Sequence, residues 1–209
     1  MMKKTFIFFL VLVATAVQAE EREERDFFFV RAGVSLNKIA GKDAGNSKVC
    51  PLYDISLNYQ KTLTDEVCPI YYTPQIAFGT RGEKESSDTK METGYIKSHN
   101  IRLVPLQFSV QPRIAPERYL DIHAGGYLSV DYAGIFTYEQ GTVFVTNEAD
   151  KKIGDIENYH RLDAGIQVGA GLWMGSWNLD FTYRRGFIGI IKDYSAFTNN
   201  FIVCLGYSL

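Results

Sequence analysis

The segment His160–Arg184 constrains the fold more than any other part of the chain. Apolar residues stand at every second position of its first arm: Leu162, Ala164, Ile166, Val168, Ala170 and Leu172. A second arm, residues 177–184, repeats the alternation after a short turn containing Met174, Gly175 and Ser176. Because successive side chains of a strand point to opposite faces, the segment is predicted to be an amphipathic β-hairpin. Arms of about ten residues are long enough to cross a bilayer at a tilt.

The same alternation recurs along the chain and predicts eight strands. They cover residues 27–37, 51–60, 68–79, 95–110, 119–131, 162–172, 177–184 and 201–209. The connections between them alternate between long and short, a pattern typical of transmembrane β-barrels of the outer-membrane type. We therefore expect an all-β fold, an eight-stranded antiparallel up-and-down transmembrane β-barrel with both ends of the chain on the short-turn side, the periplasm.

Two connections and one strand carry further expectations. Residues 80–94 are charged and are predicted to form a long loop, and in the longest connection residues 142–146 are expected to extend as β-structure beyond the barrel. In the fourth strand Ile101 and Leu103 alternate one way, whereas Val104 and Leu106 alternate the other way. One extra residue would reconcile the two halves, which predicts a β-bulge near Pro105.

The N-terminus has the three parts of a secretory signal peptide. Lys3 and Lys4 form a basic region, residues 5–13 are apolar, and residues 17–19 form a small-residue cleavage pattern. We expect a cleavable signal peptide over residues 1–19, a charged stub over residues 20–26 and the barrel domain over residues 27–209.

Composition excludes several classes of protein. The formal net charge of −2 leaves no basic surface for nucleic acid, and no run of about 20 apolar residues follows the N-terminus, as a membrane helix would require. The three cysteines, Cys50, Cys68 and Cys204, have no repeated spacing and predict neither a disulfide framework nor a zinc site. Aromatic residues gather near predicted strand ends, where the two interfacial girdles of a barrel are expected: Phe27, Tyr59, Tyr71, Tyr119, Trp173, Trp177 and Tyr207 at one end, and Tyr53, Phe78, Tyr132, Tyr159 and Phe187 at the other.

Several segments resemble one family of membrane proteins. They are FVRAGVSLN, TPQIAFGTRG, LVPLQFSVQPRI, DIHAGGYLSV and LDAGIQVGAGLWMGSWNLDFTYRRG. Together they resemble the PorT-like outer-membrane β-barrel family of Bacteroidetes-type bacteria, a porin-like family of Gram-negative bacteria that belongs with the small OmpA/OmpX-like barrels. The resemblance implies an outer-membrane location and insertion by the barrel-assembly machinery. The last strand resembles the insertion signal of that family, but it ends in Leu209 rather than in an aromatic residue.

The polar faces of the predicted strands carry acids and bases together. They supply Arg31, Asp54, Gln75, Arg102, Asp121, His123, Arg161, Asp163, Asp180 and Arg184. Side chains just fill the interior of an eight-stranded barrel, where charges must be paired and hydrogen-bonded. We therefore interpret Arg31, Asp54, Arg102, Asp121, His123, Asp163, Asp180 and Arg184 as a structural network rather than an ion pathway. His123 beside Asp121 or Asp163 could also belong to a catalytic site, but Ser129 is six residues along the strand, roughly 20 Å away.

The sequence favours a non-enzymatic outer-membrane barrel with structural, adhesive or secretion-related roles. It predicts no catalytic residues, cofactor or metal. The expected partners are outer-membrane lipid, the barrel-assembly machinery during insertion, and an envelope or extracellular protein at the long loops, but not nucleic acid. Two alternatives stay open. A barrel-embedded lipid-modifying enzyme needs a Ser/His/acid cluster, and a soluble lipocalin-like carrier needs its apolar face inside.

Overall fold

The computed structural model describes residues 26–42, 47–64, 68–91, 94–117, 119–141, 146–155, 159–189 and 197–209. The predicted signal peptide and the charged stub, apart from Asp26, lie outside these residues. Eleven strands and one 3₁₀ turn, Ile153–Asp155, make up this part of the chain. The strands are β1 (Phe27–Ala40), β2 (Ser47–Lys48), β3 (Cys50–Thr64), β4 (Ile70–Gly79), β5 (Arg81–Met91), β6 (Gly94–Glu117), β7 (Leu120–Gly141), β8 (Thr146–Lys152), β9 (Leu162–Met174), β10 (Trp177–Gly186) and β11 (Phe197–Ser208).

Eight of these strands form a closed antiparallel barrel, as the alternation predicts. The order around the barrel is β1, β3, β4, β6, β7, β9, β10 and β11, and β11 pairs with β1 to complete the ring. The first and last strands meet with Phe29 opposite Ser208. Both ends of the described barrel therefore lie at one end of the cylinder, which is also the end where β9 turns into β10. We call this the short-turn end and the opposite one the long-loop end.

The β9–β10 hairpin follows the predicted pattern closely. Met174 pairs with Trp177, so the turn itself consists of Gly175 and Ser176. Gly175 has a φ of 62°. Two-residue hairpin turns require a positive φ at their first central position, which glycine adopts without steric cost. The turn fixes the register, and the register places the apolar series of both arms on the outer surface.

The region predicted as a charged loop, residues 80–94, is instead largely strand. β5 continues β4 almost without a break and pairs with the first half of β6. The second half of β7 and all of β8 add to the same extension. Backbone pairing continues through this extension, from β5 across β6 and β7 to β8. Of the predicted extension at residues 142–146, Thr146 begins β8 and the other four residues lie outside the described ones.

The predicted irregularity at Pro105 is present, but its extra residue lies in the neighbouring strand. The pairing register shifts between Val104 and Pro105, where β7 advances by two residues against one on β6. Tyr132 is the additional residue on β7. As a result β6 keeps an unbroken alternation from Arg102 to Ile114, and Leu103 points inward although it is apolar.

The barrel has a polar inside and an apolar outside, and we call the band of exposed apolar side chains around the barrel strands the apolar belt. The outward series includes Val30, Leu57, Ile76, Leu128 and Leu205, each exposed to between 39% and 49%. The inward series is polar or charged and almost completely buried. No helix long and apolar enough to cross a membrane occurs in the described residues. All three cysteines are free, as expected.

Candidate functional site

The interior of the barrel contains ten buried arginine, aspartate and histidine side chains that could carry chemistry. Among the described residues these are four arginines, Arg31, Arg81, Arg113 and Arg184, five aspartates, Asp54, Asp121, Asp131, Asp163 and Asp180, and His123. Each comes from the inward face of a barrel strand or its extension. They form two clusters, one near each end, with a further pair between them.

The cluster nearer the short-turn end is built around Asp121. One oxygen of this carboxylate accepts from Arg113 at 2.8 Å and lies 3.1 Å from Nδ1 of His123. Its other oxygen accepts from the indole N–H of Trp173 at 2.6 Å. Across the barrel, Arg31 lies 3.1 Å from Asp180. A carboxylate can be buried only when such donors replace its lost hydration, and Asp121 accepts from both Arg113 and Trp173.

His123 lies between Asp121 and Thr182, an arrangement that superficially resembles an acid–base–nucleophile triad. Its Nε2 is 3.1 Å from Oγ1 of Thr182. However, the Thr182 hydroxyl donates its hydrogen to Asp180 at 2.7 Å. A nucleophile activated by histidine has to donate to the ring nitrogen, and this hydroxyl donates elsewhere. Both residues are also almost completely buried. The contacts are those of a structural histidine.

Aromatic rings close the interior at the short-turn end. Trp173 packs edge-on against Phe29 with ring centroids 5.4 Å apart, and against Phe27 at 5.7 Å. The guanidinium of Arg31 lies 4.8 Å from the centre of the Phe29 ring, within the range of a cation–π contact. The sequence predicts Trp173 in the outer aromatic girdle, and this prediction is wrong because the side chain lies inside the barrel. It stands one position out of phase with the apolar series of β9, which turns it inward.

The second cluster lies nearer the long-loop end and is centred on Arg81. Its guanidinium contacts Asp131 through two nitrogens, at 3.0 and 2.5 Å, and Asp163 at 2.6 Å. Asp163 also accepts from Tyr127 and from Thr198. Between the two clusters, Arg184 donates to Asp54 at 2.8 Å. Asp163 is therefore a partner of Arg81, whereas the acid beside His123 is Asp121.

Tyr159, which follows β8 and precedes β9, joins this second cluster. Its hydroxyl donates to Asp131 at 2.5 Å. Burial and the neighbouring Asp131 carboxylate raise the pKa of the phenol, so it remains a donor at neutral pH. Tyr159 thus turns toward the interior and not toward the predicted outer girdle. The buried side chains of Leu103 and Ile153 converge on Gly134.

A cavity of about 20 Å³ lies between the clusters and is lined by Asp54, Arg81, Gln107, Ser129 and Arg184, among others. A cavity of this size holds about one water molecule. Nε2 of Gln107 and Oγ of Ser129 have no protein partner and face this region. In the described residues, no group of acids, histidines and cysteines has the arrangement of a metal site.

The structure places most of the predicted network residues inside but moves two arginines outside. Arg31, Asp54, Asp121, His123, Asp163, Asp180 and Arg184 are buried together with Gln75. Arg102, predicted to be part of this network, is exposed on the outer surface, and so is Arg161. For Arg102 the prediction was wrong because β6 contains no extra residue between Arg102 and Val110. Leu103 continues the inward series, and its neighbour Arg102 has to point outward.

Two arginines of the interior were missed by sequence reasoning. Arg81 was assigned to the charged loop, and Arg113 to the turn after the fourth strand. Arg81 follows inward Gly79 by two positions, and Arg113 follows inward Gln111 by two positions. A longer estimate of strand length would have placed both on the inner face. The sequence signal for both arginines is the two-residue alternation of inward positions, which continues beyond the apolar belt.

Comparisons with known proteins identify the architecture. No protein-family model and no curated protein sequence matches the chain. The crystal structure of Neisserial surface protein A matches with a TM-score of 0.53 and 11% sequence identity, covering 87% of this chain and 97% of that one. Ail, the attachment invasion locus protein of Yersinia pestis, matches at 0.45 and 10% over 88% and 100%, and the outer membrane enzyme PagL matches at 0.42 and 9% over 84% and 98%. The match to Neisserial surface protein A shows that this chain has the fold of a small eight-stranded outer-membrane β-barrel.

Proposed function

We propose that this chain is a non-enzymatic outer-membrane β-barrel protein that displays its long-loop end to the exterior. In this proposal the short-turn end and both termini lie in the periplasm, and the barrel-assembly machinery inserts the protein. Its role is adhesive or structural, or connected with the secretion of surface proteins. The PorT-like family, which the sequence resembles, is the candidate family. The observation that carries the proposal is a barrel whose outside is apolar and whose inside is occupied by buried, paired polar side chains.

The outer surface supports a lipid environment. Side chains such as Val34, Ile55, Phe108, Ile122 and Val168 cover it, each exposed to between 46% and 51%. An apolar surface of this extent on a soluble protein would be an aggregation hazard. In a bilayer it is the expected boundary of a barrel, since closure leaves no unpaired strand edge in the hydrocarbon. The same inside–outside distribution speaks against a lipocalin-like carrier, whose ligand cavity must be apolar.

The interior supports a structural barrel rather than a pore or an enzyme. Buried ion pairs and aromatic rings occupy it, and Phe29 and Trp173 close the short-turn end. An ion or substrate pathway would need a continuous polar cavity, whereas the cavity described above holds about one water molecule. Any specific contact with another molecule would then have to be made by the outer surface.

The extended sheet at the long-loop end is the part that we propose to make such contacts. It consists of β5, β8 and the outer halves of β6 and β7. β8 pairs with β7 through residues 146–152 and is the last strand of the sheet on that side in the described residues. Sheets that project from a rigid barrel present backbone and side chains without moving the membrane part.

The membrane location is tested by cell fractionation combined with a gel assay of heat modifiability. We expect the mature protein in the outer-membrane fraction, with different migration before and after boiling, because a closed barrel resists detergent until it is heated. Recovery of the mature protein in the soluble periplasm, without a change in migration, would overturn the proposal.

The display role is tested by shortening the extension along its register. In the first replacement, Asn-Gly takes the place of residues 83–101 and links Gly82 to its paired residue Arg102 by a two-residue turn. In the second, Asn-Gly takes the place of residues 136–151 and links Ile135 to its paired residue Lys152. We expect the variant to keep its heat-dependent migration and to lose attachment of cells to host-matrix or bacterial surfaces that the intact protein supports. A shortened barrel that folds and still supports attachment equally well would contradict a role for the extended sheet.

A further inference from the structure

On two neighbouring strands of β11, the strands β1 and β10, the outward face carries a basic side chain at the long-loop end. On β1 the outward series runs through Val34 and Leu36 and ends at Lys38, and on β10 it runs through Tyr183 and ends at Arg185. At the short-turn end, the corresponding outward positions of these two strands are Asp26 and Trp177. These two strands therefore carry outward cations only at the long-loop end. A membrane protein that meets anionic groups on one side of the bilayer would have this distribution.

Strand register brings these basic residues together. Lys38 on β1 and Arg185 on β10 both pair with Asn199 on β11. Adjacent strands lie about 4.8 Å apart, so the backbones of Lys38 and Arg185 are separated by roughly 10 Å. Flexible side chains of this length can converge on one group that lies between them, and both are exposed. Neither forms an ion pair within the part of the chain that the structure describes.

Asn199 is held in an orientation that adds a third donor. The hydroxyl of Tyr183 donates to Oδ1 of Asn199 at 2.9 Å. That contact uses the amide oxygen, so the amide NH₂ group is the part of Asn199 that can donate to a ligand. Tyr183 itself belongs to the row directly below, in which Leu36, Phe201 and Tyr183 are paired neighbours and all are exposed. The donor row thus stands at the edge of the apolar belt.

We infer that Lys38, Asn199 and Arg185 form a binding site for the phosphate of an anionic glycolipid in the outer leaflet. Two cations and an amide donor suit a phosphate group, and the apolar row below suits the acyl chains attached to it. A free anion would not use that row, whereas a membrane lipid contacts both. This inference rests on the proposed placement of the long-loop end at the outer leaflet.

A second pair of cations repeats the arrangement on another side of the barrel. Arg102 on β6 and Lys152 on β8 both pair with Ile135 on β7. All three are exposed, so the cations are again two strands apart on the outer surface. This pair lacks the central amide donor, and we expect it to bind phosphate more weakly. Its position explains why Arg102 is outside the barrel and not in the interior network.

The inference is tested by native mass spectrometry of the refolded full barrel with lipid A as the probe. We compare lipid A that carries its phosphates with the dephosphorylated form, in the presence and absence of excess inorganic phosphate. We expect selective retention of the phosphorylated lipid. In the Lys38→Gln/Arg185→Gln variant we expect a loss of about fivefold in affinity for each cation removed. Tyr183→Phe should cause a smaller loss, since it frees the Asn199 amide to rotate.

Matched controls separate this site from general attraction. Lys61→Gln removes an exposed cation near the short-turn end, and we expect it to bind like the unaltered protein. Equal retention of both lipid forms, or equal binding by the Lys38→Gln/Arg185→Gln variant, would overturn the inference. Complete displacement of the lipid by inorganic phosphate would overturn it as well. The same samples are run with and without boiling, so that failure of the barrel assignment is recognised separately from failure of the lipid site.

Discussion

At the scale of single residues, the barrel depends on ion pairs that are costly to break one partner at a time. Arg81 holds two carboxylates, those of Asp131 and Asp163, in a closed interior. Removing a guanidinium leaves both carboxylates buried without their charged partner, a change that typically costs about 3–5 kcal/mol. Such a pair adds little to the net free energy of folding. Because breaking it is costly, it favours one arrangement of the inward side chains over the alternatives.

We predict that Arg81→Met lowers the free energy of unfolding of the detergent-folded barrel by about 3 kcal/mol or more. Arg102→Met makes the same chemical change one pair further along the neighbouring strand, but on the exposed surface, and should alter stability by about 0.5 kcal/mol at most. Equilibrium unfolding in urea, followed by circular dichroism, measures both. Similar losses in the two variants would mean that Arg81 is not a buried partner.

Sequence reasoning could place part of the interior at this scale. Asp121, His123 and Asp180 alternate regularly with apolar residues, and a period of two is enough to turn them inward. It could not place Arg81 or Arg113, because the apolar belt on the opposite face ends near them and the alternation loses its contrast. Nor could it tell whether Arg102 points inward or outward, because that depends on whether β6 or its neighbour β7 contains the extra residue. That choice is made by pairing across strands, which one strand's sequence does not reveal.

At the scale of elements, the β9–β10 hairpin shows how a local signal fixes a long-range arrangement. Its turn contains only two residues, and Gly175 adopts a left-handed conformation that other residues reach at a cost of about 1–2 kcal/mol. We predict that Gly175→Ala destabilises the barrel by about 1 kcal/mol, whereas Ser176→Ala changes it by less than about 0.5 kcal/mol. Urea unfolding of both variants provides the comparison, and an unchanged Gly175→Ala midpoint would rule out strain at the turn.

Strand lengths were the element-scale property that the sequence described least well. β5 is polar, so hydrophobic periodicity indicates a loop over residues 80–94. The structure continues them as strands because the register set in the barrel carries the pairing outward, with Arg81 opposite Leu103 and Gly82 opposite Arg102. Backbone hydrogen bonds do not require an apolar face. Periodicity therefore located the membrane-crossing part of each strand, but not the part beyond it.

At the scale of the whole molecule, the fold inverts the usual distribution of a soluble protein. Charged side chains fill the inside, apolar side chains cover the outside, and the two tryptophans of the chain report on the two environments. Trp173 is 4% exposed and donates to Asp121 inside the barrel, whereas Trp177 is 48% exposed and packs against Tyr207 on the outer surface. The alternation in the sequence predicted this inversion, and the closed eight-stranded ring makes it compatible with a bilayer.

The most direct test of the central claim, an apolar outside in contact with lipid, is fluorescence quenching by brominated lipids. Trp173→Phe leaves only Trp177, and Trp177→Phe leaves only Trp173. For barrels refolded into bilayers of brominated lipid, we predict strong quenching of Trp177 and little quenching of Trp173. Quenching of Trp173 with protection of Trp177, or protection of both, would contradict the assignment of the apolar face to lipid.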